Sequence, residues 1–236
     1  MNMCLFWDFD GTLGKRKNEN FSSWSFAILE AIKQRFSDTK IELDDVRPMT
    51  RQGFPWHEPE KEHTHLHTPD LWWEHIRKLF IQIYLALDFT KEQGIELAHL
   101  AQSIYLDFKG WELFDDTIPA LTNLQSKGWK HVIISNHVPE LRSIVSHLGL
   151  DSLVSDIFNS AEIGYEKPNS EIYKRAILKH GNSKTHWMIG DNVIADVIGA
   201  EENGIQSILI RNRDKRAKHQ FDDLYELQEF LKENSK

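Results

Sequence analysis

Four short segments carry the residue types that could do chemistry. Asp8-Phe9-Asp10-Gly11-Thr12 sets two carboxylates two residues apart, so an extended backbone aims both toward one side. Gly11 then permits a tight exit. Ile133-Ile134-Ser135-Asn136 places a hydroxyl and fresh backbone N–H groups beside the start of a helix, a setting that favours an anion. Glu166-Lys167-Pro168 adds a cation in a loop whose proline limits the backbone. Met188-Ile189-Gly190-Asp191, followed by Asp196, supplies two more acids. Each of these alone reads as a turn or a solvated loop. Brought to one place, four carboxylates with one Lys and one Ser would repel one another unless a cation sits among them. Mg²⁺ suits such a set because it takes hard oxygen ligands, keeps waters and works beside phosphate. Charge balance therefore points to a metal plus an anionic substrate.

The elements that must position these groups follow from the apolar pattern. Met3 to Trp7 is a short apolar run ending at Asp8, the signature of a buried strand that delivers polar groups at its carboxyl end. From 14 to 110 the period is helical. Phe26, Leu29, Ile32 and Phe36 recur at helical spacing, as do Trp72, Ile76, Leu79, Ile83 and Leu87 after Thr68-Pro69. Thr90 and Gln93, in capping-box spacing, open a third helix through Ile95, Ala98, Ala101 and Tyr105. This block reads as an all-helical insert. After 111 the chain alternates: helix to Gly128, strand His131 to Ile134, helix to Gly149, strand Ile157 to Asn159, helix Ile172 to Leu178, strand Trp187 to Ile189, helix Val193 to Glu202, strand Gln206 to Ile210. Such alternation predicts an α/β fold with a parallel sheet covered on both faces and catalytic groups at the carboxyl ends of its strands.

Composition agrees with an ordinary soluble globular protein. The 236 residues are 40% hydrophobic and 27% charged, which excludes collagen, coiled-coil and disordered classes. A net charge of -8 argues against nucleic acid as the main partner. The single cysteine, Cys4, excludes an internal disulfide and a Cys-based zinc site and suits a reducing cytosol. With no secretory signal and no apolar span of membrane length, the expectation is a cytoplasmic protein without membrane contact.

Taken together, the four segments resemble the four motifs of the haloacid dehalogenase superfamily, in order and interval over the whole chain. The resemblance implies a Rossmann-like core at 1–13 and 111–236, with a helical cap inserted at 14–110. It implies Asp8 as the nucleophile of an aspartyl-phosphate mechanism and Asp10 as the acid that protonates the leaving oxygen, then the base that activates water. Mg²⁺ would be held by the Asp8 side chain, the Asp10 carbonyl and Asp191. Ser135 and Lys167 would hold phosphoryl oxygens, with Phe9 and Asn136 beside them and Asp196 in support. An aspartate two residues after the nucleophile favours a phosphatase acting on a small phosphorylated metabolite; a phosphomutase, a dehalogenase or a non-catalytic binding protein on the same fold are the alternatives.

The insert should set specificity. Residues 51 to 75 are rich in His and Trp: Arg51, Trp56, His57, His63, His65, His67, Trp72, Trp73 and His75. Trp72 and Trp73 read as packing and His63, His65 and His67 as an exposed loop; the sharper expectation places Arg51, Trp56 and His57 over the site mouth, gripping the leaving group. A transition metal on His65 and His67 is a further alternative, although their spacing matches no ligand motif. Gly14 and Gly110 are the expected hinges, and the run Arg211, Arg213, Lys215, Arg216 and Lys218 is read as a solvated loop.

Overall fold

A computed structural model describes residues 3–17, 23–180 and 185–233. In chain order β1 (Met3–Trp7) and β2 (Gly14–Arg16) precede four helices, α1 (Trp24–Arg35), α2 (Leu43–Val46), α3 (Pro69–Ala86) and α4 (Lys91–Tyr105). Then come β3 (Trp111–Leu113), α5 (Thr117–Ser126), β4 (Trp129–Ser135), α6 (Leu141–His147), β5 (Val154–Asn159), α7 (Ser160–Ile163) and α8 (Ser170–His180). The chain closes with β6 (Thr185–Gly190), a π-helical turn Val193–Ile198 running into α9 (Gly199–Glu202), β7 (Gln206–Ile210), β8 (Gln220–Phe221) and α10 (Leu224–Glu233). Six strands form one sheet of order β5-β4-β1-β6-β7-β8, parallel throughout. The fold is therefore the α/β, Rossmann-like arrangement that the alternating pattern predicts.

Side-chain alternation along β1 assigns its residues to two cores. Leu5 and Trp7 join Ile133 and Ile189 on one face, covered by α5, α6 and α10 through Leu121, Leu141, Ile144 and Leu227. Cys4 and Phe6 join Val132, Ile134 and Met188 on the other, covered by α8 and α9 through Ile172, Tyr173 and Ala200. Each fully buried aliphatic or Phe side chain adds about 1.5–3 kcal/mol. Cys4 is thus a small core residue. The last helix carries Leu224, Leu227 and Leu231 at helical spacing behind Asp223, whose Oδ1 accepts from the Tyr225 and Glu226 N–H groups.

One polar residue sits inside the first core. Trp7 Nε1 donates to His131 Nδ1 at 3.1 Å, and His131 Nε2 donates to the Leu121 carbonyl at 2.9 Å. An imidazole that accepts at one nitrogen and donates at the other is neutral, and burial pushes its pKa down to about 4. The folded state resists a proton that the unfolded state accepts, so the stability this residue contributes is present above the unfolded pKa and is lost as pH falls toward 4. His131→Gln keeps both hydrogen-bonding roles but does not titrate. The stability gap between wild type and this variant should therefore narrow by about 2 kcal/mol from about pH 7 to about pH 5. Denaturant melts at the two pH values measure it, and a pH-independent gap would contradict the assignment.

The insert departs from the expectation of an all-helical block at its base. Residues 14–16 are a strand, paired antiparallel with Trp111–Leu113, so the two connections between insert and core form one ribbon. Gly14 stands inside that ribbon, where a Cβ would meet the Phe9 ring at 2.8 Å, and Gly110 accepts from Lys17 N–H at 3.0 Å. Both therefore lie at the paired base of the insert. The helices themselves begin where their caps predict: Thr68 Oγ1 accepts from Leu71 N–H, and Thr90 and Gln93 form a reciprocal capping box. Among the described residues no helix is long and apolar enough to cross a membrane.

Candidate active site

Strand register brings the motifs to one edge. Trp7 is level with Ile133 on one side and Ile189 on the other, and Asp8 N–H continues the ladder to the Ile189 carbonyl at 2.8 Å. Asp8, Ser135 and Gly190-Asp191 therefore leave the sheet side by side. Lys167 arrives from the connection between α7 and α8, and its Nζ lies 3.0 Å from Asp8 Oδ1 and 2.6 Å from Asp196 Oδ1. Asp196 reaches it from the π-helical turn, a widened geometry that recurs at functional sites. Its second oxygen accepts from Asn192 N–H at 3.0 Å. Two glycines are required by close approach. A Cβ on Gly190 would lie 2.1 Å from the Asp196 carboxyl, and one on Gly11, at φ +80°, would lie 2.6 Å from Asp191.

Charge in this cluster is unbalanced. Burial works against the Lys167 ammonium, but Asp196 and Asp8 outweigh it and hold its pKa above the ordinary value. Burial likewise raises Asp196, with the Asp8 carboxylate adding to it and Lys167 opposing. Asp191 is pushed up to about 7 by burial and by Asp8. Burial is the larger cause for the two acids, and the surplus of acids over the one ammonium adds to it and raises Lys167 as well. Asp8, Asp191 and Asp196 offer carboxylate oxygens within 4.8 Å of one another. An all-oxygen donor set with excess negative charge fits a hard divalent cation.

The neighbouring features fit an anion. Ser135 Oγ is buried and without a hydrogen-bond partner. Asn136 fixes the Lys167 backbone from both sides, donating to its carbonyl at 2.8 Å and accepting from its N–H at 2.6 Å. Asp10, at the solvent-reached edge of the group, has its carboxyl pushed up to about 6 by desolvation and by Asp8, with Arg16 and the Gly11 N–H pulling the other way. Such a group exchanges a proton near neutral pH.

A cleft of about 630 Å³ opens above these residues. Its walls include Asp8, Asp10, Asn136, Lys167 and Asp191 from the core and Trp56, one of the insert residues expected near the mouth. Arg51 and His57, expected to grip a leaving group, are exposed and do not line it; His57 Nδ1 instead accepts from Phe54 N–H within its own turn. The Phe9 side chain is fully buried against Trp111 and His137, which leaves only its backbone near the site. Among the described residues the histidines of the loop form no metal-ligating group; His63 N–H instead docks on the Gly164 carbonyl at 2.7 Å. Asn169 Nδ2 to the Pro59 carbonyl at 3.0 Å and Trp73 Nε1 to Glu140 at 2.9 Å hold the same segment against the core. Arg211 is not solvated: it stacks on Phe114, pairs with Asp116 and donates to the Thr12 carbonyl. The sequence reading missed Trp24, Tyr105 and His137 as wall residues. For His137 a signal existed, since it lies two residues beyond Ser135, whereas Trp24 and Tyr105 meet only through tertiary packing.

A Rossmann-like sheet with these acids, a lysine and a serine at one edge defines a haloacid dehalogenase-like hydrolase. Residues 3–204 match that family, and the chain belongs to it. It is 24% identical over 213 residues to the human haloacid dehalogenase-like hydrolase domain-containing protein 3, a match covering 87% of this chain and 80% of that one. A shorter match, 29% identical over 102 residues, is to the glyceraldehyde 3-phosphate phosphatase of Methanothermobacter thermautotrophicus and spans 42% of this chain and 45% of the relative. In structure it resembles the HAD-hydrolase YfnB from Bacillus subtilis bound to magnesium, with TM-score 0.69, 19% identity and 98% of each chain covered.

Proposed function

We propose that this hydrolase is a Mg²⁺-dependent phosphatase that cleaves a small phosphomonoester through an aspartyl phosphate on Asp8. The observation that carries the reading is the Asp8 carboxylate held 3.0 Å from the Lys167 ammonium, with the Asp10 carboxyl lining the same cleft. Lys167 orients one Asp8 oxygen, so the carboxylate is presented to phosphorus rather than free to rotate. As the Asp8–phosphorus bond forms and the ester bond breaks, Asp10 gives its proton to the leaving oxygen. Water then attacks the same phosphorus, Asp10 takes its proton, and the bond to Asp8 breaks to release phosphate. The Ser135 hydroxyl and Lys167 hold phosphoryl oxygens that gain charge during transfer. Mg²⁺ held by the Asp8 and Asp191 side chains and the Asp10 carbonyl would offset the remaining negative charge there. Residues 14–110 act as a cap over a core of 1–13 and 111–236, a division supported by Trp56 and Tyr105 reaching the cleft. Proton donation by Asp10 matters for an alkoxide and not for a halide, which favours the phosphatase over the dehalogenase.

The test is release of inorganic phosphate from a panel of phosphomonoesters, with Mg²⁺ and after chelation. Absence of metal-dependent release from every ester would overturn the reading. Two variants then separate the acids. Asp191→Ala should raise the Mg²⁺ concentration needed for half-maximal rate steeply, while Asp10→Ala should lower the rate about 10²- to 10⁴-fold even at saturating Mg²⁺. Superimposable metal titrations of the two variants would contradict this division of labour.

A further inference from the structure

The cleft is short of positive charge. Among its described lining residues Lys167 is the one Lys or Arg, and its ammonium is already engaged by Asp8 and Asp196. Arg16 is near but enclosed: it is 7% exposed, sandwiched between the Tyr105 ring at 4.1 Å and the Trp111 ring at 4.0 Å, and donates to the Tyr105 carbonyl. Positions 18–22, Asn-Glu-Asn-Phe-Ser, contain no Lys or Arg. A leaving group with its own carboxylate would sit beside a surplus of acids without a cation, a costly arrangement.

Polar partners for a hydroxyl-rich leaving group are scarce as well. The Asn136 side chain is used at both ends on the Lys167 backbone, and Asn192 Oδ1 accepts from the Ile194 and Ala195 N–H groups. His137 remains, buried against Phe9 and Trp111 and kept neutral because burial and Arg16 push its pKa down to about 4. The insert supplies aromatic surface instead. Trp24 stacks on Tyr105 with centroids 3.6 Å apart and planes 7° apart, Trp56 lies 5.9 Å from Trp24 at 29°, and Phe54 braces Trp56 at 4.9 Å and 12°. Trp24 and Trp56 stay half-buried and border the cleft. Rings already fixed by their neighbours bind another ring with little loss of side-chain freedom. A volume of about 630 Å³ is also large for a three-carbon ester and suits a ring-sized one.

We propose that the cleft selects phosphomonoesters whose leaving group is an uncharged planar ring, received by the half-buried rings of Trp24 and Trp56, with Tyr105 bracing Trp24 from behind. This specificity rests on the phosphatase reading above and names its substrate class. The direct test compares kcat/KM of the wild-type protein with Mg²⁺ on benzyl phosphate, cyclohexylmethyl phosphate, glycerol 3-phosphate and 2-phosphoglycolate, all esters of alcohols, so that the bond broken at phosphorus is of one kind. Benzyl phosphate should lead the two polar esters by about tenfold or more, and exceed its saturated analogue, because stacking on an aromatic side chain is worth about 1–3 kcal/mol per ring. Trp56→Ala should lower the ratio of benzyl to glycerol phosphate by about tenfold, and Trp56→Phe should restore most of it. Equal or better turnover of 2-phosphoglycolate or glycerol 3-phosphate by the wild type overturns the specificity while leaving the phosphatase intact. Hydrolysis of none of the four overturns both.

Discussion

Asp8→Asn should reduce phosphate release by roughly 10⁴- to 10⁶-fold, the scale on which loss of a nucleophile is felt. Asparagine keeps the shape of the side chain and can still face Lys167, but its amide has neither the charge nor the lone-pair basicity to attack phosphorus. The fold should survive the change. Lys167 keeps its closer partner, Asp196 at 2.6 Å, and the surplus negative charge around it is reduced by one. The unfolding midpoint of the variant should therefore lie at or above that of the wild type, which separates lost chemistry from lost structure. A folded variant retaining a tenth of wild-type activity would remove Asp8 from its assigned role.

Lys167→Met should affect both activity and stability, and the second effect should depend on pH. Lys167 is 3% exposed between two carboxylates, so its removal leaves buried like charges facing each other, at a cost of about 3–5 kcal/mol near neutral pH. Burial and the neighbouring Asp8 carboxylate already raise the Asp196 pKa, and without the ammonium it should rise further. A carboxyl whose folded pKa lies above its unfolded value is favoured folded once it is protonated. The destabilisation should accordingly shrink as pH falls from about 8 to about 5. Activity should fall by about a hundredfold to a thousandfold through loss of a phosphoryl contact. Denaturant melts across this range, with phosphate release at neutral pH, test both parts; a stability loss independent of pH would mean that the triad carries no coupled charge.

The core motifs were legible in the sequence because β1, β4 and β6 are short buried strands and each ends abruptly on a polar residue. The end of a parallel strand fixes where such a residue emerges, and little else has to be known. Asp196 was assignable for the same local reason, lying in the first turn after β6. The cleft wall above the site was harder to read. Arg51 and His57 have the chemistry to hold a substrate, but their turn directs them outward, and Trp24 and Tyr105, far apart in the chain, stack on each other only after α1 and α4 have packed. The strand at Gly14–Arg16 was hidden because three residues are too few for a period to register. Arg211 was misread because charge runs are usually solvated, and nothing local shows that Phe114, Asp116 and Thr12 will converge on one member of the run.

The place of β1 in the sheet orders events during synthesis. Met3 pairs with Trp129 on one edge and Thr185 on the other, so long stretches of chain separate this strand from both of its neighbours. At ribosomal rates of roughly 5–20 residues per second, Met-Cys-Leu-Phe-Trp waits roughly ten to forty seconds for its second edge to be covered. An apolar strand with at least one edge open over that interval is a site for chaperone binding or for association between nascent chains. The same order delays the charged cluster: Asp8 is made long before Lys167, Asp191 and Asp196, so the four come together only after the chain has been made through residue 196.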